Sequence, residues 1–203
     1  MQFKKTMVIA AVSVLCLSLT ACPAVIVGGA AAGAKVGFDR RSTGAQADDN
    51  TINVKAESAI NQKINENRTG NEPKSVVRLV TYNRGTLLLG VVRNEDERQI
   101  AERIVRAQPN VRRVYNHIGI SSDGRSFGDT SRDSWITSKV RTTILRAKGV
   151  WPNHVKVVTY NGVTYVMGIL TPEEQASATA VISQTSGVQK VITIFETFTE
   201  KAD

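Results

Sequence analysis

The feature that most limits what this chain can fold into is that one pattern of residues occurs twice. Val80-Thr-Tyr-Asn-Arg-Gly-Thr-Leu-Leu-Leu-Gly90 is matched by Val158-Thr-Tyr-Asn-Gly-Val-Thr-Tyr-Val-Met-Gly168 at an offset of 78. Upstream, Asp49-Asn-Thr-Ile-Asn-Val-Lys55 is matched by Asp133-Ser-Trp-Ile-Thr-Ser-Lys139 at 84, and downstream Val111-Arg-Arg-Val114 by Val188-Gln-Lys-Val191 at 77. Ordered matches with a drifting offset are what a duplicated domain leaves behind, the drift marking short loop insertions. The first copy is six residues longer after its opening helix and one residue longer near Pro109.

Each copy reads as α-β-β-α-β. Ile52, Ala56 and Ile60, and again Ile136, Val140 and Ile144, recur four apart, which predicts an amphipathic helix. A strand pair follows at 76–82 and 86–91, and at 155–160 and 164–169, with turns at Asn83-Arg-Gly85 and Asn161-Gly162. The second helix is predicted to start near Asn94, or at Thr171-Pro172, with acidic residues in its first turn where the helix dipole favours them. It ends by Pro109 or Gly187, and a last strand covers 111–120 or 188–198. The fold class is therefore α+β, with two helices on a small three-stranded mixed sheet in each copy. A unit of roughly 70 residues has a marginal core, so packing the copies together would bury more.

The N-terminus adds a targeting signal. Lys4 and Lys5 precede an uncharged apolar run from Met7 to Leu19. It is shorter than the roughly 20 residues a bilayer span needs and has the layout of a cleaved secretory leader. The run ends in Leu19-Thr20-Ala21-Cys22, which looks like a bacterial lipobox with cleavage before Cys22 and lipid on its sulfur. Cys16 lies inside the leader, so the mature chain would keep only a thioether, which excludes a disulfide and a thiolate zinc site. Two or three acyl chains make a stable anchor, at about 0.8 kcal/mol per buried CH₂. By analogy with lipoproteins that lack Asp after the cysteine, Pro23 points to the periplasmic face of the outer membrane. The organisation expected is a leader at 1–21, a lipid-anchored tether at 22–48, domains at 49–121 and 133–199, and a linker at 122–132.

The element order, the hairpin, the acidic start of the second helix and the closing V-x-x-V resemble the BON domain family. With the lipobox, Asp39-Arg40-Arg41-Ser42 and Asp133-Ser-Trp-Ile-Thr-Ser-Lys-Val-Arg141, nearly the whole chain is similar to dual-BON outer-membrane lipoproteins. Trp151, Arg146 and Lys148 depart from that pattern. The resemblance implies a non-enzymatic role in envelope integrity and cell division, with the first helix of the second domain binding anionic phospholipid such as phosphatidylglycerol or cardiolipin.

The residues bear on that implication independently. At about 100° per residue, Ile136, Val140, Thr143, Ile144 and Ala147 share the core face of the helix. Trp135, Ser138, Lys139, Arg141, Thr142, Leu145 and Arg146 fall elsewhere. Tryptophan suits headgroup depth and the cations suit lipid phosphates. The candidate lipid-contact residues are Trp135, Ile136, Ser138, Lys139, Val140, Arg141, Leu145 and Arg146. The first copy has Thr51, Glu57 and Asn61 where the second has Trp135, Arg141 and Leu145, and no Asp or Glu occurs from Ser134 through Pro172. The second copy reads as the membrane reader and the first as its support. The alternative is that the Trp135 face docks an envelope protein partner.

Other functions find little support. Without Lys4 and Lys5 the chain has 24 Lys plus Arg against 18 acids, a modest excess, and no aromatic-basic stacking platform that would indicate nucleic acid. His117 and His154 sit at strand edges without ligand-spaced companions, so no metal and no cofactor is expected, and no nucleophile motif points to catalysis.

Overall fold

Residues 39–66, 74–121 and 127–199 are described by the computed structural model. The leader, Cys22, the tether as far as residue 38 and the linker residues 122–126 lie outside them. The first copy comprises α1 (Thr43–Asn65), β1 (Val76–Tyr82), β2 (Gly85–Val92), α2 (Glu95–Arg106) and β3 (Arg113–Ile120). The second comprises α3 (Phe127–Thr143), β4 (Val155–Tyr160), β5 (Val163–Leu170), α4 (Pro172–Ser183) and β6 (Lys190–Thr197). α3 runs on into a 3₁₀ turn at Ile144–Arg146, and another turn, Pro152–His154, leads into β4. Both sheets are mixed: the hairpin strands pair antiparallel and the third strand joins the middle one in parallel, in the order β1-β2-β3 and β4-β5-β6.

Local chemistry explains these elements. Thr171 and Glu174 form a reciprocal capping box on α4, with Pro172 in the first turn, and the Asn94 side chain accepts from the Glu97 amide at the start of α2. The hairpin turns have two residues each, Asn83-Arg84 and Asn161-Gly162, all at positive φ between 50° and 73°. That geometry matches a type I′ turn, which follows the twist of the strands. In the first copy Gly85 begins β2, and the non-glycine Arg84 takes the left-handed conformation that Gly162 takes in the second.

A buried aspartate holds each turn. Asp133 Oδ2 accepts from Asn161 N at 2.6 Å and its Oδ1 from Gly162 N at 2.9 Å. Asp49 accepts from Asn83 N and Arg84 N at 2.9 and 2.7 Å. These aspartates lead the repeated motif within the first helix of each copy, so the motif ties helix to hairpin.

Two helices begin earlier than the sequence pattern indicated. α1 starts at Thr43, inside the segment read as tether, with Ser42 Oγ accepting from Ala45 N, and α3 starts at Phe127, inside the segment read as linker. Their first turns lack a 3.6-residue apolar rhythm, so periodicity could not reveal them.

Among the described residues the apolar side chains form three cores. One joins Ile60, Val77, Leu88 and Val105 under α1 and α2, and a second joins Val140, Val166, Ala178 and Ile182 under α3 and α4. The third lies between the two sheets, where Tyr82, Leu87 and Leu89 meet Tyr160, Tyr165 and Met167. β2 and β5 are buried on both faces, and this explains their unbroken apolar runs. Polar contacts cross the same seam. Tyr82 donates its hydroxyl to His154 O at 2.8 Å, Lys156 Nζ reaches Thr81 O at 3.2 Å, and His117 meets the Tyr165 ring edge-on at 5.0 Å. His154 is buried, which corrects the expectation of an edge residue, because the turn Pro152–His154 folds in against the seam.

Candidate membrane-contact site

α3 is held on the second domain by one stripe. Ile136, Val140 and Ile144 are almost inaccessible and pack on Val157 and Val166, while Thr137 Oγ1 accepts from Thr159 N at 2.9 Å along the edge of β4. Ile136 and Val140 were expected to touch lipid; their burial at 2% and 0% exposure places them in the core, where they fix the helix.

The opposite stripe is free. At roughly 100° per residue, Trp135, Ser138, Thr142, Leu145 and Arg146 fall on the outward side of the helix. Trp135 is 59% exposed and Leu145 63%, and Trp151, just beyond the 3₁₀ turn, is 40% exposed. None of them belongs to the intersheet core, so the indole of Trp135 does not cover the seam between the domains.

The cations around this stripe are not equivalent. Lys139 lies with its Nζ 4.0 Å from the Trp135 ring centroid and donates to Ser186 O at 3.0 Å, so it props the indole outward while keeping donors to spare. Arg141 leans the other way, making a long 3.4 Å contact to Val157 O. Arg146 and Lys148 are exposed, and among the described residues neither has an ionic partner. Ser138 Oγ bonds back to Ser134 O and adds polarity without reaching out.

On the flank occupied by Arg141, a groove of about 440 Å³ separates α3 and β4 from β1, with Arg78 and Lys156 among its lining. Burial pushes the Lys156 ammonium below its ordinary pKa, with Arg41 and Arg141 adding repulsion and Asp49 opposing it.

Sequence reasoning also missed a strap formed by the residues just before α1. Arg40 donates to Ile169 O at 2.9 Å, pairs with both carboxylate oxygens of Glu174 and lies 4.2 Å from the Phe198 ring centroid, all in the second domain. Arg41 pairs with Asp49 at 2.8 Å and Asp39 at 2.7 Å and lies 4.4 Å from the Tyr82 ring centroid. Two arginines next to each other thus bind two different domains. Two adjacent arginines in a polar stretch carry no sequence signal of docking; only their distant partners reveal it.

Among the described residues no helix is long and apolar enough to cross a membrane, and no group of three or more His, Cys, Asp or Glu side chains could hold a metal ion.

The model of the BON domain matches residues 52–121 and again 132–196. The chain is 35% identical over 178 residues to the outer membrane lipoprotein DolP of Haemophilus influenzae, covering 88% of this chain and 89% of that protein. It is 29% identical over 156 residues to a 21 kDa hemolysin of Actinobacillus pleuropneumoniae, covering 77% of each. Among solved structures, CdsD, a structural protein of the type III secretion system of Chlamydia trachomatis, aligns with 73% of this chain and 64% of its own, at 10% identity and a TM-score of 0.30.

Proposed function

This chain belongs to the BON-domain family, with two such domains in tandem, and on that premise we propose that it is a non-enzymatic lipoprotein of the outer membrane, anchored by lipid on Cys22 at the periplasmic face. Its second domain binds anionic phospholipid through the outward stripe of α3. Trp135 and Leu145 enter the headgroup region, Arg146, Lys139 and Arg141 meet the phosphates, and Lys148 and Trp151 extend the contact. The protein thereby supports envelope integrity and acts at the division site, where curved membrane and remodelled wall meet.

The observation that supports this reading most is the exposure of Trp135, Leu145 and Trp151 around one helix that is otherwise firmly packed. Large apolar groups beside cations that have no ionic partner among the described residues, in the stretch from Ser134 through Pro172 that carries no Asp or Glu, suit an interface that is apolar at one depth and anionic at the next. At about 1 kcal/mol per cation near an anionic surface, several cations give a reversible contact that salt weakens. The acyl anchor supplies permanence, and the helix supplies orientation and lipid selectivity.

Co-sedimentation of the compact unit, residues 37–203, with phosphatidylglycerol or cardiolipin vesicles tests this reading. Binding is expected to anionic vesicles only and to fall steeply as salt rises. Equal binding to phosphatidylcholine, or none to any vesicle, would overturn it and leave the Trp135 face as a docking site for a protein partner.

A further inference from the structure

β3 and β6 are edge strands of the two sheets, opposite β1 and β4, and among the described residues the two copies treat them differently. In a parallel pair, alternate residues turn both backbone groups toward the neighbouring strand and the others turn both away. Ser121 N bonds to Val92 O, and Phe198 N bonds to Leu170 O. The outward residues are therefore Val114, Asn116, Ile118 and Ile120 on β3, and Val191, Thr193, Phe195 and Thr197 on β6.

On β3 the middle of that edge is closed. Asn116 Oδ1 accepts from the outward Ile118 amide at 3.1 Å, and Glu102 on α2 fixes the Asn116 side chain at 2.9 Å. A strand with its amide already bonded is a poor template. On β6 the corresponding residues are Thr193 and Phe195, and the Thr193 side chain makes no such bond to the Phe195 amide. Thr193 is exposed, and the run Val191-Ile-Thr-Ile-Phe195 has no charge, no proline and no glycine to discourage pairing.

We infer that β6 is a docking edge for a second copy of this chain, the two β6 strands pairing antiparallel about a twofold axis at Ile194. In this register Thr193 exchanges backbone hydrogen bonds with Phe195 of the second copy, and Val191 does so with Thr197. The charges favour it: Lys190 opens the strand and Glu196 nearly closes it, so each lysine falls diagonally across from the other copy's glutamate. A parallel pairing would instead set lysine beside lysine. A single ribbon of this length lies at the weak end of specific interfaces, so the association is reversible and grows with local concentration. The site is separate from the Trp135 stripe and does not rest on lipid binding.

Sedimentation velocity of the full-length protein in neutral detergent micelles, over a wide concentration range, tests the inference. A reversible monomer–dimer equilibrium is expected. Thr193→Pro is expected to abolish it, since the Thr193 amide points away from β5 and proline at an open edge removes no bond within the sheet. Thr193→Lys, which keeps the strand but places a charge on its edge, is expected to weaken dimerisation about tenfold or more, the loss that about 1.4 kcal/mol produces. Thermal unfolding verifies that both variants stay folded, and the lysine variant carries the test if the proline variant does not. A protein that stays monomeric at every concentration, or a dimer that both folded variants retain, would overturn the inference.

Discussion

Replacing Asp133 with alanine should damage the second domain more than any surface substitution, because this buried carboxylate satisfies two backbone amides of the β4–β5 turn at 2.6 and 2.9 Å. A hydrogen bond to a charged group contributes about 1.5–3 kcal/mol, and stranding a buried donor costs at the upper end of that range. Removing both bonds should therefore cost about 3–5 kcal/mol, a large part of the roughly 5–15 kcal/mol that stabilises an ordinary domain. For the compact unit of residues 37–203 each kcal/mol lowers Tm by about 2–4 °C, so a fall of roughly 6–20 °C is expected. Asp133→Asn keeps one acceptor and should lose about half as much. The assay is thermal unfolding followed by circular dichroism, with chemical denaturation for the free energy. A loss below about 1 kcal/mol for Asp133→Ala would refute the assignment of the repeated aspartate as the tie between helix and hairpin.

Other outcomes follow from the seam and the strap. Tyr82→Phe keeps the ring in the intersheet core but removes the bond to His154 O, and should cost about 1 kcal/mol in denaturant titration. Leu87→Ala, at a fully buried position in the same core, should cost about 2–5 kcal/mol and open a cavity. Glu174 and Asp39 have depressed carboxyl pKa values: burial opposes ionisation, but the bonds from Arg40 and Thr171, and from Arg41, outweigh it. A carboxylate whose folded pKa lies below its unfolded one stabilises the fold above the unfolded value and stops doing so as pH falls through the folded one. Stability should therefore decline below the ordinary Glu and Asp values of 4.5 and 3.8, and Arg40→Ala should flatten that decline in acid-unfolding curves.

Much of the fold was legible because it was written twice. The repeat gave the domain number, Asn-Gly marked one hairpin, and Thr171-Pro172 with Glu174 marked the start of α4. Packing of the sheets against each other was legible only in part, through runs such as Leu87-Leu-Leu89 that are apolar on both faces of a strand. The early helix starts were hidden because their first turns lack an apolar rhythm, and the Arg40–Arg41 strap was hidden for a different reason. Polar residues acquire their roles from partners more than a hundred positions away, as Arg40 does from Glu174, and no local pattern encodes that. On α3 the outward stripe was legible from the contrast between copies, Thr51 against Trp135 and Asn61 against Leu145. Including Ile136 and Val140 in the contact merged the two faces of one helix, which burial separates.

The most direct test of the central claim follows from the chain having only two tryptophans. In a Trp151→Phe variant, the fluorescence reports Trp135 alone. Adding phosphatidylglycerol vesicles should shift its emission to the blue, bromine-labelled phosphatidylglycerol should quench it, and phosphatidylcholine vesicles should leave it unchanged. Emission that stays that of a water-exposed indole while the protein binds the anionic vesicles would contradict the account, because the membrane contact would then lie elsewhere than on α3.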